Sequence, residues 1–180
     1  MEQNMPFYQL ILNRRSCRRY QRELPDRTTL AAVVEAGRHA PSSRNRQTNR
    51  FYIITDPGIL ADISRISAEQ LEAWAGKDCL YAAPVLVLVT GMRDNPCTLQ
   101  DAGCIMENMM LAASALGLGS CWINQPFHLR DNPAMLELLD SIGVSREEMV
   151  SGGLALGWPQ SPSRGPKTLT GNSVVWIPEA

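Results

Sequence analysis

Apolar residues along this chain recur at two spacings, and the alternation between them lays out the elements. Phe7, Leu10 and Ile11 stand at helical spacing ahead of Asn13-Arg14-Arg15-Ser16, which predicts a short helix ending near Asn13 or Arg15. Pro25-Asp26 breaks the chain. Thr28 or Thr29 then supplies a cap, and Leu30, Val33, Val34 and Gly37 predict a second helix that stops before Pro41. Phe51-Tyr52-Ile53-Ile54-Thr55 is aromatic and β-branched and reads as a strand; Asp56-Pro57-Gly58 turns it into a helix from Ile59 to about Ala75. Val85-Leu86-Val87-Leu88-Val89, opened by Pro84, is apolar at every position. A strand without alternation is covered on both faces, as in the middle of a sheet flanked by helices.

From Thr98 to Leu116, apolar residues recur at three and four (Ala102, Ile105, Met106, Met109, Met110, Ala113), predicting a long helix of about 28 Å at 1.5 Å per residue. It is expected to be the central one, with small residues such as Gly103 and Ala112 keeping its surface shallow and Gly117 capping its end. Ser120-Cys121-Trp122-Ile123 reads as a strand, Asn132-Pro133 opens a helix through Leu139, and Leu154-Ala155-Leu156-Gly157 reads as a last core strand. Beyond Pro159 periodicity almost vanishes until Val174-Val175-Trp176-Ile177. Such a tail cannot form a core alone and needs a surface to lie on.

At 180 residues the chain is expected to form one domain spanning 1–180, with 44% hydrophobic and 19% charged residues and no low-complexity tract. The longest strongly apolar run, residues 82–89, is far short of the roughly 20 residues a membrane-spanning helix requires. The first residues carry Glu2, Gln3 and Asn4 and no basic region leading into an apolar stretch, so a cytoplasmic location is expected. Five cysteines, with no Cys-x-x-Cys pair and two distant histidines, His39 and His128, argue against structural zinc and a disulfide scaffold. Reduced, mostly buried thiols are expected.

The net charge of −1 conceals an asymmetry: ten arginines lie between Arg14 and Arg50 against Glu23, Asp26 and Glu35, and the remaining residues are acidic in balance. Positive charge is concentrated where an anion could be held, either nucleic acid or a phosphate-bearing cofactor. The densest cluster, Arg14-Arg15-Ser16-Cys17-Arg18-Arg19-Tyr20, offers guanidinium forks and a hydroxyl suited to a phosphate monoester, although a solvated charged face has the same composition. Pro41-Ser42-Ser43-Arg44-Asn45-Arg46-Gln47 offers hydroxyl, amide and backbone groups able to read the edge of a flat heteroaromatic ring, and is also ordinary turn composition. Gly117-Leu118-Gly119 follows a helix where a dinucleotide fingerprint must follow a strand, and residues 152–157 run into Trp158-Pro159 where a phosphate loop needs Lys and a hydroxyl. Neither is a nucleotide loop. With no nucleophile elbow and no His-Glu-x-x-His, catalysis here would be carried by a bound cofactor. Nucleic acid is disfavoured as a partner, because the arginine segment lacks interleaved aromatics.

Taken in order, these two segments, Asp101-Ala102-Gly103 with Glu107-Asn108-Met109-Met110, Leu116-Gly117-Leu118-Gly119-Ser120-Cys121-Trp122-Ile123, and Leu154-Ala155-Leu156-Gly157-Trp158-Pro159 resemble the landmarks of the nitroreductase family. The resemblance implies an α+β fold, a mixed β-sheet flanked by helices with a long central helix and an extended C-terminal tail. It also implies an intertwined homodimer with FMN at the interface, and hydride transfer from NADH or NADPH to a nitro compound, quinone or similar small acceptor. Carried over position by position, Arg14, Arg15, Ser16 and Arg18 would contact the phosphate and the polar flavin edge, with Arg18 near N1 and O2. Pro41, Ser42, Ser43 and Asn45 would come from the other subunit, with Gln47 close by. Trp122, Ile123, Asn124 and Gln125 would lie along one flavin face, and Arg164, with Lys167 as second choice, would complete the phosphate site. Thr48-Asn49 departs from the Pro and aromatic residue that many members carry after the glutamine, so the acceptor pocket differs in shape. Residues 69–81 align poorly and are assigned no site.

Overall fold

The computed structural model describes residues 6–161 and 165–177. Ten elements follow in chain order: α1 (Pro6–Asn13), α2 (Arg27–Arg38), β1 (Arg50–Ile54), α3 (Pro57–Gln70), β2 (Val85–Met92), α4 (Thr98–Ala115), β3 (Gly119–Ile123), α5 (Gln125–His128), α6 (Pro133–Ser141) and β4 (Glu148–Gly157). Short 3-10 turns occupy Ser43–Asn45 and Glu72–Trp74. The strands form one sheet in the order β1-β2-β4-β3, with every strand pair antiparallel. The mixed character expected of the sheet is confined, among the described residues, to an isolated parallel bridge between Ser16 and Ser120 at its β3 edge.

β2 shows why an unalternating apolar strand belongs in the middle. Side chains alternate between faces. Val85, Val87 and Val89 pack with Leu30, Val33 and Val34 of α2 and with Met106 and Met109 of α4. Leu86 and Leu88 point the other way, to Ile63 and Ile66 of α3 and Met135 and Leu139 of α6. All five are fully buried, each burial contributing roughly 1.5–3 kcal/mol. β4 is longer than its apolar end suggests. Gly153 pairs with Leu88 of β2 and Ile123 of β3 and Gly152 with Val89 of β2, while Ser151 sits at the register shift before Val150 meets Thr90.

The helix starts follow side-chain capping. α2 is capped by Asp26, whose carboxylate accepts from the Thr29 N–H at 2.9 Å and the Thr29 hydroxyl at 2.8 Å, so the cap precedes the expected Thr28 or Thr29, which lie inside the first turn. Asp56 caps α3, which ends at Gln70, short of Ala75. α4 runs almost as the periodicity predicts, and Gly117 follows it with φ +78, the left-handed conformation that ends helices. Cys79 and Cys121 are buried, Cys17 and Cys97 half-buried and Cys104 exposed; all five are free. Among the described residues the tail forms no strand, and Val174, Val175, Trp176 and Ile177 are 74–89% exposed. Among the described residues no helix is long and apolar enough to cross a membrane.

Candidate functional site

The arginine segment is not a solvated surface run. After α1 it turns along the sheet edge: the Cys17 N–H donates to Ser120 O at 2.8 Å, Tyr20 bridges Pro159, and the Gln21 N–H donates to Trp158 O at 2.8 Å. Tyr20, 5% exposed, anchors the segment by donating its hydroxyl to Cys17 O at 2.7 Å, and burial pushes its pKa well up, which keeps the hydroxyl protonated. Burial also raises the Cys121 thiol on β3, against the opposing pull of Arg18 and the Ser16 hydroxyl. That thiol is protonated and has no nucleophilic part.

Between this segment, the start of β3 and the chain beyond β4 lies a cleft of about 680 Å³, within the range of small-molecule sites. Arg15, Ser16, Arg18, Arg19 and Lys167 line it together with hydroxyls of Ser114, Ser120, Ser161 and Thr168, and among the described residues no carboxylate does. Cations and hydroxyls without an acid are the donor set for a phosphate. Arg15 Nη1 donates to the carbonyls of Leu12 and Arg14, whereas its Nη2 is buried with no partner. A buried guanidinium N–H without a partner is costly, and it sits in the same side chain as the cleft wall; the lining of cations and hydroxyls is what fits an anionic group here.

Arg18 is exposed and lies over the Tyr81 ring, 5.7 Å from its centroid; a hydrogen bond with Tyr81 raises its pKa further. Residues 69–81, assigned no site from sequence, therefore touch the arginine segment through Tyr81. Tyr81 and Ala82 have φ of 57° and 56°, and the Asp78 carboxylate holds them by accepting from the Leu80 and Ala82 N–H groups and the Ser64 hydroxyl. Trp74 meets Tyr81 edge-on at 6.2 Å. No local signal marks this contact, because it joins segments distant in sequence.

Arg14 is placed elsewhere: its Nε is 3.5 Å from Glu107, on the side of α4. Ser42 and Gln47 line a different, polar cleft of about 390 Å³ beside the end of α2, with Pro41, Ser43 and Asn45 in the same loop. This loop is held in an unusual form, since Arg44, Asn45 and Gln47 have φ of 54°, 53° and 51°. The Ser43 N–H donates to Asp101 of α4 at 2.8 Å. Trp122 and Ile123 end β3, with the Trp122 indole against Gly152; Asn124 is exposed and Gln125 is buried at the start of α5. Arg164 lies outside the described residues, whereas Lys167 is on the cleft wall. Besides Arg15 Nη2, Thr48 Oγ1 and Trp122 Nε1 are buried without partners, so each orphan among the described residues lies in or beside one of the three segments singled out from sequence.

Residues 11–158 match the model of the Nitroreductase family. The chain belongs to that family. The nitroreductase chain is 29% identical over 173 residues to the Escherichia coli (strain K12) protein YdjA, which carries the provisional name NAD(P)H nitroreductase, covering 87% of this chain and 90% of that one. It is 25% identical over 173 residues to an iodotyrosine deiodinase of Thermotoga neapolitana, covering 86% and 89%. Among solved structures, a Bacteroides fragilis nitroreductase with bound FMN superposes with a TM-score of 0.88 at 28% identity, over 96% of this chain and all of that one.

Proposed function

We propose that this nitroreductase-family chain is a single FMN-binding domain whose site is shared between two protomers, and that it passes hydride from NADH or NADPH through FMN to a small flat acceptor in alternating half-reactions. The carrying observation is the cleft walled by Arg15, Ser16, Arg18, Arg19 and Lys167, with no carboxylate among its described lining residues. FMN, when bound, supplies the hydride acceptance and donation that no side chain of the protein can.

The residues supply the rest. Arg15, Ser16 and Lys167 hold the phosphate, and Arg18, kept cationic and oriented by Tyr81, stabilises negative charge at the pyrimidine edge of the ring. The loop carrying Ser42, Ser43 and Asn45 faces a different cleft of the same protomer, so a site using both sets is completed by the second copy. The exposed apolar tail supports that assembly, because 74–89% exposure of four consecutive large apolar residues is relieved by a partner surface. The FMN in the Bacteroides fragilis structure supports the cofactor, and the name of YdjA supports the donor.

The test is the visible spectrum of the purified protein and a titration with riboflavin phosphate. A flavin spectrum released on denaturation is expected, with occupancy lost in the Ser16→Ala/Arg18→Ala double variant. A colourless monomer that stays colourless in excess riboflavin phosphate refutes the reading, and full occupancy in the double variant refutes the residue assignment. Likeness to an iodotyrosine deiodinase favours a second reading, reductive dehalogenation of a halogenated phenol at the same site. Steady-state rates with nitroaromatics, quinones and halotyrosines separate the two.

A further inference from the structure

Asp101, in the first turn of α4, is 4% exposed and belongs to none of the segments given a cofactor role above. A buried carboxylate is costly unless its oxygens are satisfied, so its partners show what it holds. The first is the Ser43 N–H, 2.8 Å from Oδ1. The second is the Asn95 side-chain amide, 3.4 Å from Oδ2. Asn95, also buried, accepts the Cys97 N–H at 3.1 Å on its own side-chain oxygen. The Asp101 N–H closes on Cys97 O at 2.9 Å. The turn that starts α4 therefore holds the carboxylate through Oδ2 and leaves Oδ1 to the loop.

Its other end meets a loop that does not hold itself flat. Arg44, Asn45 and Gln47 all lie in the left-handed region, a conformation that persists in non-glycine residues only where the surroundings impose it. The remaining hydrogen bonds of residues 42–47 are internal: Asn45 N–H to Ser42 O, Arg46 N–H to Ser43 O, Gln47 N–H to Ser42 Oγ, and the Gln47 amide to Asn45 Oδ1. Among the described residues, the hydrogen bond that ties this loop to the core is the one to Asp101.

We infer that Asp101 is a positioning residue: through the Ser43 N–H it holds the 42–47 loop in the form that presents Ser42, Ser43 and Asn45 to the cofactor. The holding of the loop stands on geometry alone, and its consequence for the cofactor rests on the FMN reading above.

Trypsin reports on the loop directly, because Arg44 and Arg46 are exposed cleavage sites within it. Three variants are digested in the flavin-free state and titrated with riboflavin phosphate, with global unfolding followed in parallel. Asp101→Ala is expected to speed cleavage after Arg44 and Arg46 and to weaken riboflavin phosphate binding, each by about tenfold to a hundredfold, the range for a hydrogen bond to a charged group. Asp101→Asn keeps an Oδ1 acceptor for the Ser43 N–H but sets its NH2 against the donating Asn95 amide, so it is expected to fall between Asp101→Ala and the wild type in both. Ser43→Pro removes the donor, and extended Ser42 (φ −132, ψ 152) accommodates a following proline, so it is expected to match Asp101→Ala in digestion.

Wild-type digestion rates in Asp101→Ala overturn the inference. Equal losses in Asp101→Ala and Asp101→Asn overturn it too, because the charge at the helix start would then be what matters. If Asp101→Ala fails to fold, Ser43→Pro decides, and its digesting like the wild type is the refuting result. A wild-type protein that takes up no riboflavin phosphate overturns the cofactor reading and leaves the digestion to judge the loop.

Discussion

Gly119 begins β3 and faces the segment carrying Arg15, Ser16 and Arg18, so replacing it with alanine tests whether close approach of that segment shapes the cleft. A Cβ at this position would come within 2.6 Å of Cys17 Sγ and 2.7 Å of Cys17 Cβ. Carbon contacts are optimal at about 3.5–4.0 Å, so the segment has to retreat by roughly 1 Å. Rotating a side chain cannot relieve the clash, because the Cys17 Cβ is fixed to a backbone held by its N–H to Ser120 O at 2.8 Å. Gly119 has no positive φ, so backbone strain does not enter. Overpacking costs about 1–3 kcal/mol and loss of the backbone bond about 1 kcal/mol. We expect Gly119→Ala to lose about 2–3 kcal/mol of stability and roughly 4–12 °C in Tm. A displacement of about 1 Å in the arginine segment is expected to weaken FMN binding tenfold or more. Urea unfolding and flavin titration measure the two effects. The control lies in the second site. Cys17→Gly removes both clashing atoms and should recover the loss to within about 0.5–1 kcal/mol, whereas Cys17→Ala keeps the Cβ and should recover little. Wild-type melting of Gly119→Ala, or equal rescue by the two changes at Cys17, refutes the reasoning.

Two further expectations concern stability. Tyr20, Cys79 and Cys121 all have pKa values raised chiefly by burial, so the folded chain binds their protons more tightly than the unfolded chain does. Their contribution is whole below the ordinary thiol and phenol values of 9.0 and 10.0 and is lost as pH rises beyond them. The urea midpoint should therefore fall between pH ~8 and pH ~10.5, and a level or rising midpoint contradicts the burial argument. Glu148, its side chain 3% exposed, accepts from the Thr90 hydroxyl, from Tyr52 at 3.2 Å and from Arg50 at 3.1 Å. Glu148→Ala strands the fully buried Thr90 hydroxyl and should cost about 1–3 kcal/mol, Glu148→Gln less, and loss of the exposed Arg50 side chain, which leaves Thr90 and Tyr52 on the carboxylate, least. Denaturant midpoints that place Arg50→Ala level with Glu148→Ala would remove Glu148 from its role.

By itself, the sequence determined what depends on neighbours along the chain. The period of Ala102, Ile105, Met106 and Met109 laid out α4, and the unbroken apolar run 85–89 identified a strand covered on both faces, because helix and strand periodicities are local properties. It also determined the family landmarks and with them the arginine segment, since Arg15, Ser16 and Arg18 lie within four residues. Other features were decided only by tertiary packing. Arg14 and Arg15 are adjacent, yet Glu107 takes one and the cleft the other, because α4 stands beside one face of that turn alone. The strand read from 154–157 extends back to Glu148 because β2 offers partners as far as Met92, with a register shift at Ser151. Tyr81 reaches Arg18, and Asp101 reaches Ser43, across separations that no spacing rule spans. Such contacts depend on which surfaces the core brings face to face, and that is settled when the two apolar faces of β2 are buried together.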